Sequence, residues 1–527
     1  MINYKNIILS IFFLTYFIAG TFLSLTNGIS HDQFHEQQNW IVNFKAIKDI
    51  FVGNGEYQLL QNYVDKYHGI GFHLFSQPFQ FFLNNFVQEL NSVNEEGAIY
   101  ISRHFPTFLI FCIAGYFFYL ICFKVSKNFN FSLISLIIFF LYPYLFGHSQ
   151  INGKDIPFLS IWVITTYYLF NILEKFYFEK KIILLEVILL AFLTGFLISI
   201  RTSGFLIFFQ YLIALIILVN YKKYNFFIFL NRKKFFLFIF SISFLFSIYV
   251  LNPIFWLDPF ELFNSLQWMS KYHNTTCTLT LGKCLKAQNL PSSYIFIWLF
   301  FKLPIISILG ILIFPLVEKK LFRNDVNSIF YSTLLLTSLL IIFIMIFRNV
   351  ALYDEIRHLM FLLPLILIVS FYNLFLFNKN IFNILSIITL VLFISENLFL
   401  KQYQYTWLNH FAKFTKIEKN FEIDYWGISN KNLQKKIINF SEKQNINKNI
   451  CVYGDLYVEA FLKKANFNCF GSYSKIDAVK KRPFFVYQNI KNLKRSSPKS
   501  CKLIHSEKYN YLFYSKDIIV GKLWYCD

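Results

Sequence analysis

Four ionisable residues fall within six consecutive positions near the start of the chain: Gly28-Ile29-Ser30-His31-Asp32-Gln33-Phe34-His35-Glu36 carries His31, Asp32, His35 and Glu36. They form two i, i+4 pairs, so a helix would place all four on one face. Three chemistries fit that spacing: acid/base catalysis by a carboxylate, a metal site using these four residues around two histidines one turn apart, or a helix start that collects solvated charges. A second block reads Gly147-His148-Ser149-Gln150-Ile151-Asn152-Gly153-Lys154-Asp155-Ile156-Pro157. Pro157 in a first helical turn, with Asp155 as N-cap, is ordinary helix-start chemistry. It leaves His148 and Lys154 unexplained. Arg201 joins two apolar runs with almost no loop, Lys302 falls inside another run, and Arg357-His358 precede a further one. Carboxylates at 32, 36 and 155 with cations at 154, 201, 302 and 357 suit transfer from a phosphate-linked donor. One carboxylate takes the proton of an acceptor hydroxyl while fixed cations stabilise the departing phosphate.

The elements that must hold these residues are membrane helices. Of the 527 residues 56% are hydrophobic and only 15% charged, with a mean hydropathy of +0.47, which excludes a soluble globular enzyme. The apolar residues gather in runs of about 18 or more, long enough to span a bilayer as helix. Eleven candidate spans result, near 6–26, 99–123, 131–147, 156–173, 182–200, 203–219, 235–251, 292–316, 326–347, 359–376 and 380–398. The first follows a lone Lys5 and has no small-residue cleavage site, so it reads as a retained helix. The 70 Phe residues accompany abundant Ile, Asn, Lys and Tyr, all with AT-rich codons; a biased genome accounts for them better than a binding function does. Lys302, at membrane depth in this scheme, is a functional candidate or a side chain that snorkels outward.

Orientation follows from the Lys/Arg bias of the short connections. With the N-terminus cytoplasmic, the inner segments hold 15 basic residues, from Lys5 through the Lys222–Lys234 group to Lys319, Lys320, Arg323 and Lys379. The short outer connections hold four: Lys154, Arg201, Arg348 and Arg357. Two long loops, 27–98 and 252–291, then lie outside together with the tail, 399–527. The reading is therefore a polytopic α-helical membrane protein with a transmembrane domain, 1–398, and a soluble extracytoplasmic α/β domain. In the tail a helix is expected over Lys431–Lys443 and strands at Ile450–Tyr453, Phe484–Tyr487, Tyr511–Tyr514 and Ile518–Val520. The tail carries +13 of the +21 net charge. A basic surface beside a bilayer meets anionic headgroups or lipid phosphates, or is simply solvated, and no recognition motif for nucleic acid accompanies it.

The order of these blocks resembles the membrane-embedded glycosyltransferases of the GT-C fold, in particular the bacterial ArnT/RgtA-like and protein-mannosyltransferase-like group. The resemblance rests on Asp32 just past the first span, on His148 to Pro157, and on Asn252-Pro253 with Trp256 and Pro259. It rests also on Lys302-Leu303-Pro304, Arg357-His358, Tyr403-Gln404-Tyr405 with Asn409, and Asp424-Tyr425-Trp426-Gly427. It implies an inverting transferase of the inner membrane of a bacterium, with its tail in the periplasm. The sugar would come from a polyprenyl-phosphate donor, and a lipid, glycan or protein would accept it. Asp32 matches the first-loop catalytic carboxylate and Asp155 the second acidic position. Lys154, Arg201 and Arg357, with Lys302 and His358, match donor-phosphate positions; His31, His35, His148 and Asn152 are pocket candidates. The sequence has Asp32-Gln33 with Glu36 four residues on, in place of adjacent Asp-Glu, so Asp32 and Glu36 both stand as candidate base. No cofactor is obligatory in such a scheme, and a divalent metal is compatible with it. The rival classes are a lipid or glycan transporter, which carries ionisable residues at broken helices near the midplane, and a non-catalytic assembly protein.

Six cysteines fall in the outer segments, an even number that suits an oxidising compartment. Proximity in sequence pairs Cys277 with Cys284, Cys451 with Cys469 and Cys501 with Cys526. Non-reducing peptide mapping is expected to recover these three pairs, and six free thiols would refute them.

Overall fold

The structure is a computed structural model, and it describes residues 4–270, 276–322, 325–454, 457–478, 483–490, 493 and 497–527. Arg323 of the basic fringe and residues 271–275 of the second long loop lie outside the described residues.

Among the described residues, eight helices are long and apolar enough to cross a membrane, and two bent pairs bring the number to ten if each pair is one span. Leu184–Ile200, with 17 residues, is a shorter apolar helix. Each of the eleven apolar runs thus corresponds to a helix or a bent pair. The shorter helix rises about 26 Å. Asp155 opens the helix Asp155–Tyr177, Arg201 follows Leu184–Ile200, and the two side chains meet at 2.9 Å. The two helices are therefore an antiparallel hairpin whose second arm returns to the level at which the first began.

The bent pairs depart from the sequence reading, which treats both runs as continuous. Phe129–Leu141 meets Pro143–Ser149 at 62°, and Tyr294–Lys302 meets Ile305–Leu312 at 118°. A proline supplies no backbone N–H and holds the preceding residue extended. Tyr142 and Leu303 accordingly have ψ of 109° and 140°. Lys302 is consequently the last residue before a break. It is fully buried and does not snorkel: its ammonium lies 2.7 Å from Glu355 Oε2, donates to the Trp407 carbonyl at 2.9 Å, and sits 4.4 Å from the centre of the Tyr144 ring.

The first long loop is mostly helical, with Asp32–Val52, Tyr57–Gln61, Gly71–Asn91 and Glu95–Ser102. The second contains the helix Glu261–Ser270 and a small hairpin of β1 (Cys277–Thr280) and β2 (Lys283–Lys286), tied by the Cys277–Cys284 disulfide.

The tail folds around a five-stranded sheet. Its strands are β3 (Cys451–Gly454), β4 (Cys469–Ser472), β5 (Phe484–Asn489), β6 (Lys502–Tyr509) and β7 (Ile518–Cys526), in the order β4-β3-β5-β7-β6. β3 runs parallel to both neighbours, and β7 runs antiparallel to β5 and β6. The helix Ser429–Lys443 lays Leu433 and Ile437 against Val452, Phe485 and Leu523. Cys451 stands opposite Cys469 on paired strands and is bonded to it, and the Cys501–Cys526 disulfide closes the β6–β7 end. Tyr511–Tyr514 is a turn and not a strand. Phe513 has φ of +61° there, and Tyr511 donates its hydroxyl to the Thr406 carbonyl at 2.8 Å, docking the tail on the last membrane helix. The strands not anticipated, β4 and β6, are the two edges, where sequences are short or polar.

Replacing Lys302 by Met leaves Glu355 buried without its cation and is expected to destabilise the protein by about 3–5 kcal/mol. The double variant Lys302→Met, Glu355→Leu removes both charges and recovers most of that loss. Thermal unfolding in detergent reads both; equal melting of single and double variants would show that the pair does not stabilise the break.

Candidate active site

The block 148–155 folds around Asn152. Its Oδ1 accepts from the backbone N–H groups of Lys154 at 3.2 Å and Asp155 at 2.9 Å, and its Nδ2 donates to Asp155 Oδ2 at 2.9 Å and faces His148 Nδ1 at 3.0 Å. Asn152 thus holds the N–H groups just ahead of the helix, while the Phe158 N–H goes to the Lys154 carbonyl at 3.2 Å, so the Asp155 side chain caps nothing. Asp155 is instead the first helical residue, and its carboxylate is directed at cations. Gly147 lets the Tyr405 backbone approach closely, since a Cβ there would lie 2.1 Å from the Tyr405 nitrogen. His148 is fully buried, with Nε2 3.1 Å from the Tyr425 hydroxyl. It positions Asn152 and Tyr425.

Asp155, only 2% exposed, receives Arg201 Nη2 at 2.9 Å on Oδ1 and Arg357 Nη1 at 3.7 Å on Oδ2. Arg357 Nη1 also bonds Asp32 Oδ2 at 2.9 Å, and Nη2 reaches Asp354 at 3.1 Å. The guanidinium lies between the rings of Tyr353 and Trp426, 4.8 and 4.9 Å from their centres. These contacts join the starts of Asp32–Val52, Asp155–Tyr177 and the Arg357–Phe377 segment to the end of Leu184–Ile200, all at one end of the helix bundle.

The cluster at 31–36 is divided by the helix that begins at Asp32. Glu36 pairs with Lys154 at 3.2 Å and lies 3.7 Å from His73 Nε2, and Lys154 also lies 3.4 Å from His68 Nε2. His35 is exposed. His31 is buried beneath the tail: its N–H donates to the Trp426 carbonyl at 3.0 Å, and a Cβ on Gly427, whose φ is +70°, would collide with the His31 ring at 2.5 Å. The metal reading is not supported by this arrangement, because Asp32 and Glu36 are drawn to Arg357 and Lys154. Among the described residues no three His, Cys, Asp or Glu side chains converge as a ligand set.

Burial works to raise the Asp32 carboxyl, but the charge and hydrogen bond of Arg357, with Lys154 and His35, hold it below the ordinary carboxylate value. Burial first, then the neighbouring cations, keeps His68 and His73 well below the usual histidine range, so both are neutral. Asp424 anchors the tail segment that covers the site. It accepts from Tyr405 Oη and from the N–H groups of Ile428 at 2.9 Å and Ser429 at 3.3 Å, and burial raises it to about 6.

His358 packs edge-on to Tyr353 at 4.5 Å, and Lys302 is committed to Glu355. Among the described residues, neither forms a hydrogen bond or ion pair with Asp32, Arg357 or Asp155. Several participants are not singled out by the sequence. Arg103, absorbed there into an apolar run, is buried and donates to Gln37 Oε1 at 2.9 Å. Asp354 and Glu355 both have left-handed backbones, φ +51° and +68°, which direct one carboxylate to Arg357 and the other to Lys302. Such backbone strain persists only where surrounding contacts over-determine it. The acidic pair just before Arg357-His358 is the signal that points to them.

No protein-family model matches the chain, and no curated protein sequence does. Among solved structures it is similar to ArnT from Cupriavidus metallidurans bound to undecaprenyl phosphate, at 8% identity and a TM-score of 0.42 over 98% of each chain. It is similar also to the same protein in the apo state, at 7% identity and a TM-score of 0.46 over 98% of this chain and 97% of that one. Likeness at this level carries no argument about activity.

A buried carboxyl with a raised pKa favours folding while protonated, so the Asp424 contribution is present near pH 4 and is lost as pH rises through about 6. Asp424→Asn keeps the acceptor oxygen without the charge. The stability difference between the two proteins is expected to shift toward the variant by on the order of 2–3 kcal/mol between pH 4 and 7, read as melting temperature against pH. Parallel curves would refute the assignment.

Proposed function

We propose that the protein is an inverting glycosyltransferase that moves a sugar from a polyprenyl-phosphate donor to an acceptor at the outer face of a membrane. The observation that carries the reading is the convergence of Asp32, Arg357, Asp155 and Arg201 at one end of an apolar helix bundle. An apolar bundle suits a lipid carrier, and cations at its end suit the carrier's phosphate.

The geometry favours Asp32 as the base. Its side chain is 36% exposed, against 14% for Glu36 and 2% for Asp155. An arriving donor phosphate competes with Asp32 for Arg357 and with Glu36 for Lys154. Losing Arg357 raises the Asp32 carboxyl toward its ordinary value and makes it a better proton acceptor. The acceptor oxygen then attacks the anomeric carbon, its proton passes to Asp32, and the carbon–oxygen bond to phosphate breaks with the electron pair leaving on phosphate. Asp155 holds Arg201 and Arg357 in place, and Asn152 and His148 hold Asp155. The Lys302–Glu355 pair supports the turn that aims Arg357.

The lipid-transport reading has one observation of its own, the two broken helices with a lysine at one break. That lysine is sealed by Glu355 with no solvent exposure on either side chain, which favours a structural part for it.

Membranes containing the protein, given labelled polyprenyl-phosphate sugars, are expected to pass label to an acceptor identified by mass spectrometry, with inverted anomeric configuration. Asp32→Asn is expected to slow transfer by about 10²–10⁴-fold. A wild-type rate in that variant would remove Asp32 from the role, retained configuration would reject single displacement, and lipid movement without transfer would establish the transporter.

A further inference from the structure

The helix Asp32–Val52 has two functional faces. Asp32 and Glu36 face the cations, whereas Phe34, Gln37, Gln38 and Ile41 recur at i, i+3, i+4 and i+7 on another side. At about 100° per residue, Phe34 and Ile41 lie half a turn from Asp32 and Glu36. That second face lines a cleft of about 610 Å³ between the first outer loop and the tail. Such a volume is ordinary for a site that holds a small organic ligand.

The tail forms one wall and is pinned there. The Asn94 N–H donates to the Ala460 carbonyl at 2.8 Å, and the Tyr457 hydroxyl accepts from the Phe34 N–H at 2.8 Å and donates to the His31 carbonyl at 3.2 Å. The cleft therefore exists only when the tail is docked.

Its chemistry is distinctive. Gln37, Gln38 and Gln88 present amides, each with donors and an acceptor, and Glu95 adds a carboxylate. Arg103 occupies Gln37 Oε1 at 2.9 Å, which leaves the Gln37 NH₂ group as donor to the cleft. Phe34 offers an exposed ring, 45% accessible, while Tyr100 lies buried at the base of the cleft with its hydroxyl donating to Glu96 Oε1 at 2.6 Å. Lys463 is paired with Glu459 at 3.6 Å, Lys464 adds a second ammonium, and Glu95 and Glu96 stand on the other wall; three carboxylates against two lysines do not concentrate positive charge for a phosphate. Amides, carboxylates and lysines that can each bond a hydroxyl, and one exposed aromatic ring, together match a neutral, hydroxyl-rich ligand whose rings have one apolar face.

We propose that this cleft binds the sugar chain of the acceptor, a neutral oligosaccharide, while a hydroxyl at its reacting end is presented to Asp32 across the first helical turn. As an acceptor site it rests on the transferase reading above; as a carbohydrate site it does not. A ligand serving both faces is longer than the helix is wide, about 10 Å with side chains.

Full-length protein in lipid nanodiscs is titrated with neutral tetrasaccharides of glucose, mannose and N-acetylglucosamine, with binding followed by saturation-transfer NMR. At least one is expected to bind the wild type and Asp32→Asn alike. The double variant Gln38→Ala, Gln88→Ala at half-buried positions and the separate variant Phe34→Ala at an exposed one, each with unchanged melting temperature, are expected to weaken that binding at least tenfold. The proposal is overturned if no tetrasaccharide binds the wild type, or if all variants bind as it does. Binding without sugar transfer leaves the cleft standing and refutes the transferase; transfer without tetrasaccharide binding does the reverse.

Discussion

Almost everything at the charged end of the bundle depends on one buried carboxylate. Asp155 is nearly inaccessible and touches two guanidinium groups, Arg201 and Arg357, which themselves are mostly buried. Withdrawing such ions from water costs several kcal/mol each, and only close, well-directed partners offset that cost. The ends of four helical segments must therefore meet within a few ångströms. Asn152 supports the meeting by accepting the Asp155 N–H and donating to its carboxylate, which fixes the direction of that side chain.

The same constraint explains the strained turn before Arg357. Two consecutive residues with left-handed backbone are unfavourable, yet both carboxylates that they carry are held, Asp354 by Arg357 and Glu355 by Lys302. Thr278 of the small disulfide-tied hairpin accepts the Asp354 N–H at 2.8 Å, so the second long loop also bears on the turn. The break at Leu303-Pro304 belongs to this arrangement, because it ends a helix at Lys302 and turns the chain away.

The tail is a structural part of the charged end and not an appendage. Trp426 stacks on Arg357, its carbonyl receives His31, and Gly427 passes where no side chain fits. Lys431 reaches into the first loop, donating to the Thr26 and Asn27 carbonyls and, at 2.9 Å, to Asn91. These contacts close over Asp32 from one side and leave the amide-lined cleft on the other.

Local properties of the chain were legible in the sequence. Runs of apolar residues long enough to be helices, the compositional change near residue 400, the nearest-neighbour cysteine pairs and the candidate residues themselves all follow from hydropathy, spacing and residue type. Even Pro304 was visible, though only the folded chain shows that it turns the helix by 118°. The pairings were not legible. Asp32 and Arg357 stand 325 residues apart, and Lys302, a site cation by its position in the sequence, is paired with Glu355. Nor could the spacing of His31, Asp32, His35 and Glu36 reveal that one histidine would be covered by the tail and the other left in the open. Hydropathy and turn chemistry act over a few residues, so one chain determines them by itself. Which carboxylate neutralises which cation depends on where separate helices end in space, and only their packing decides that.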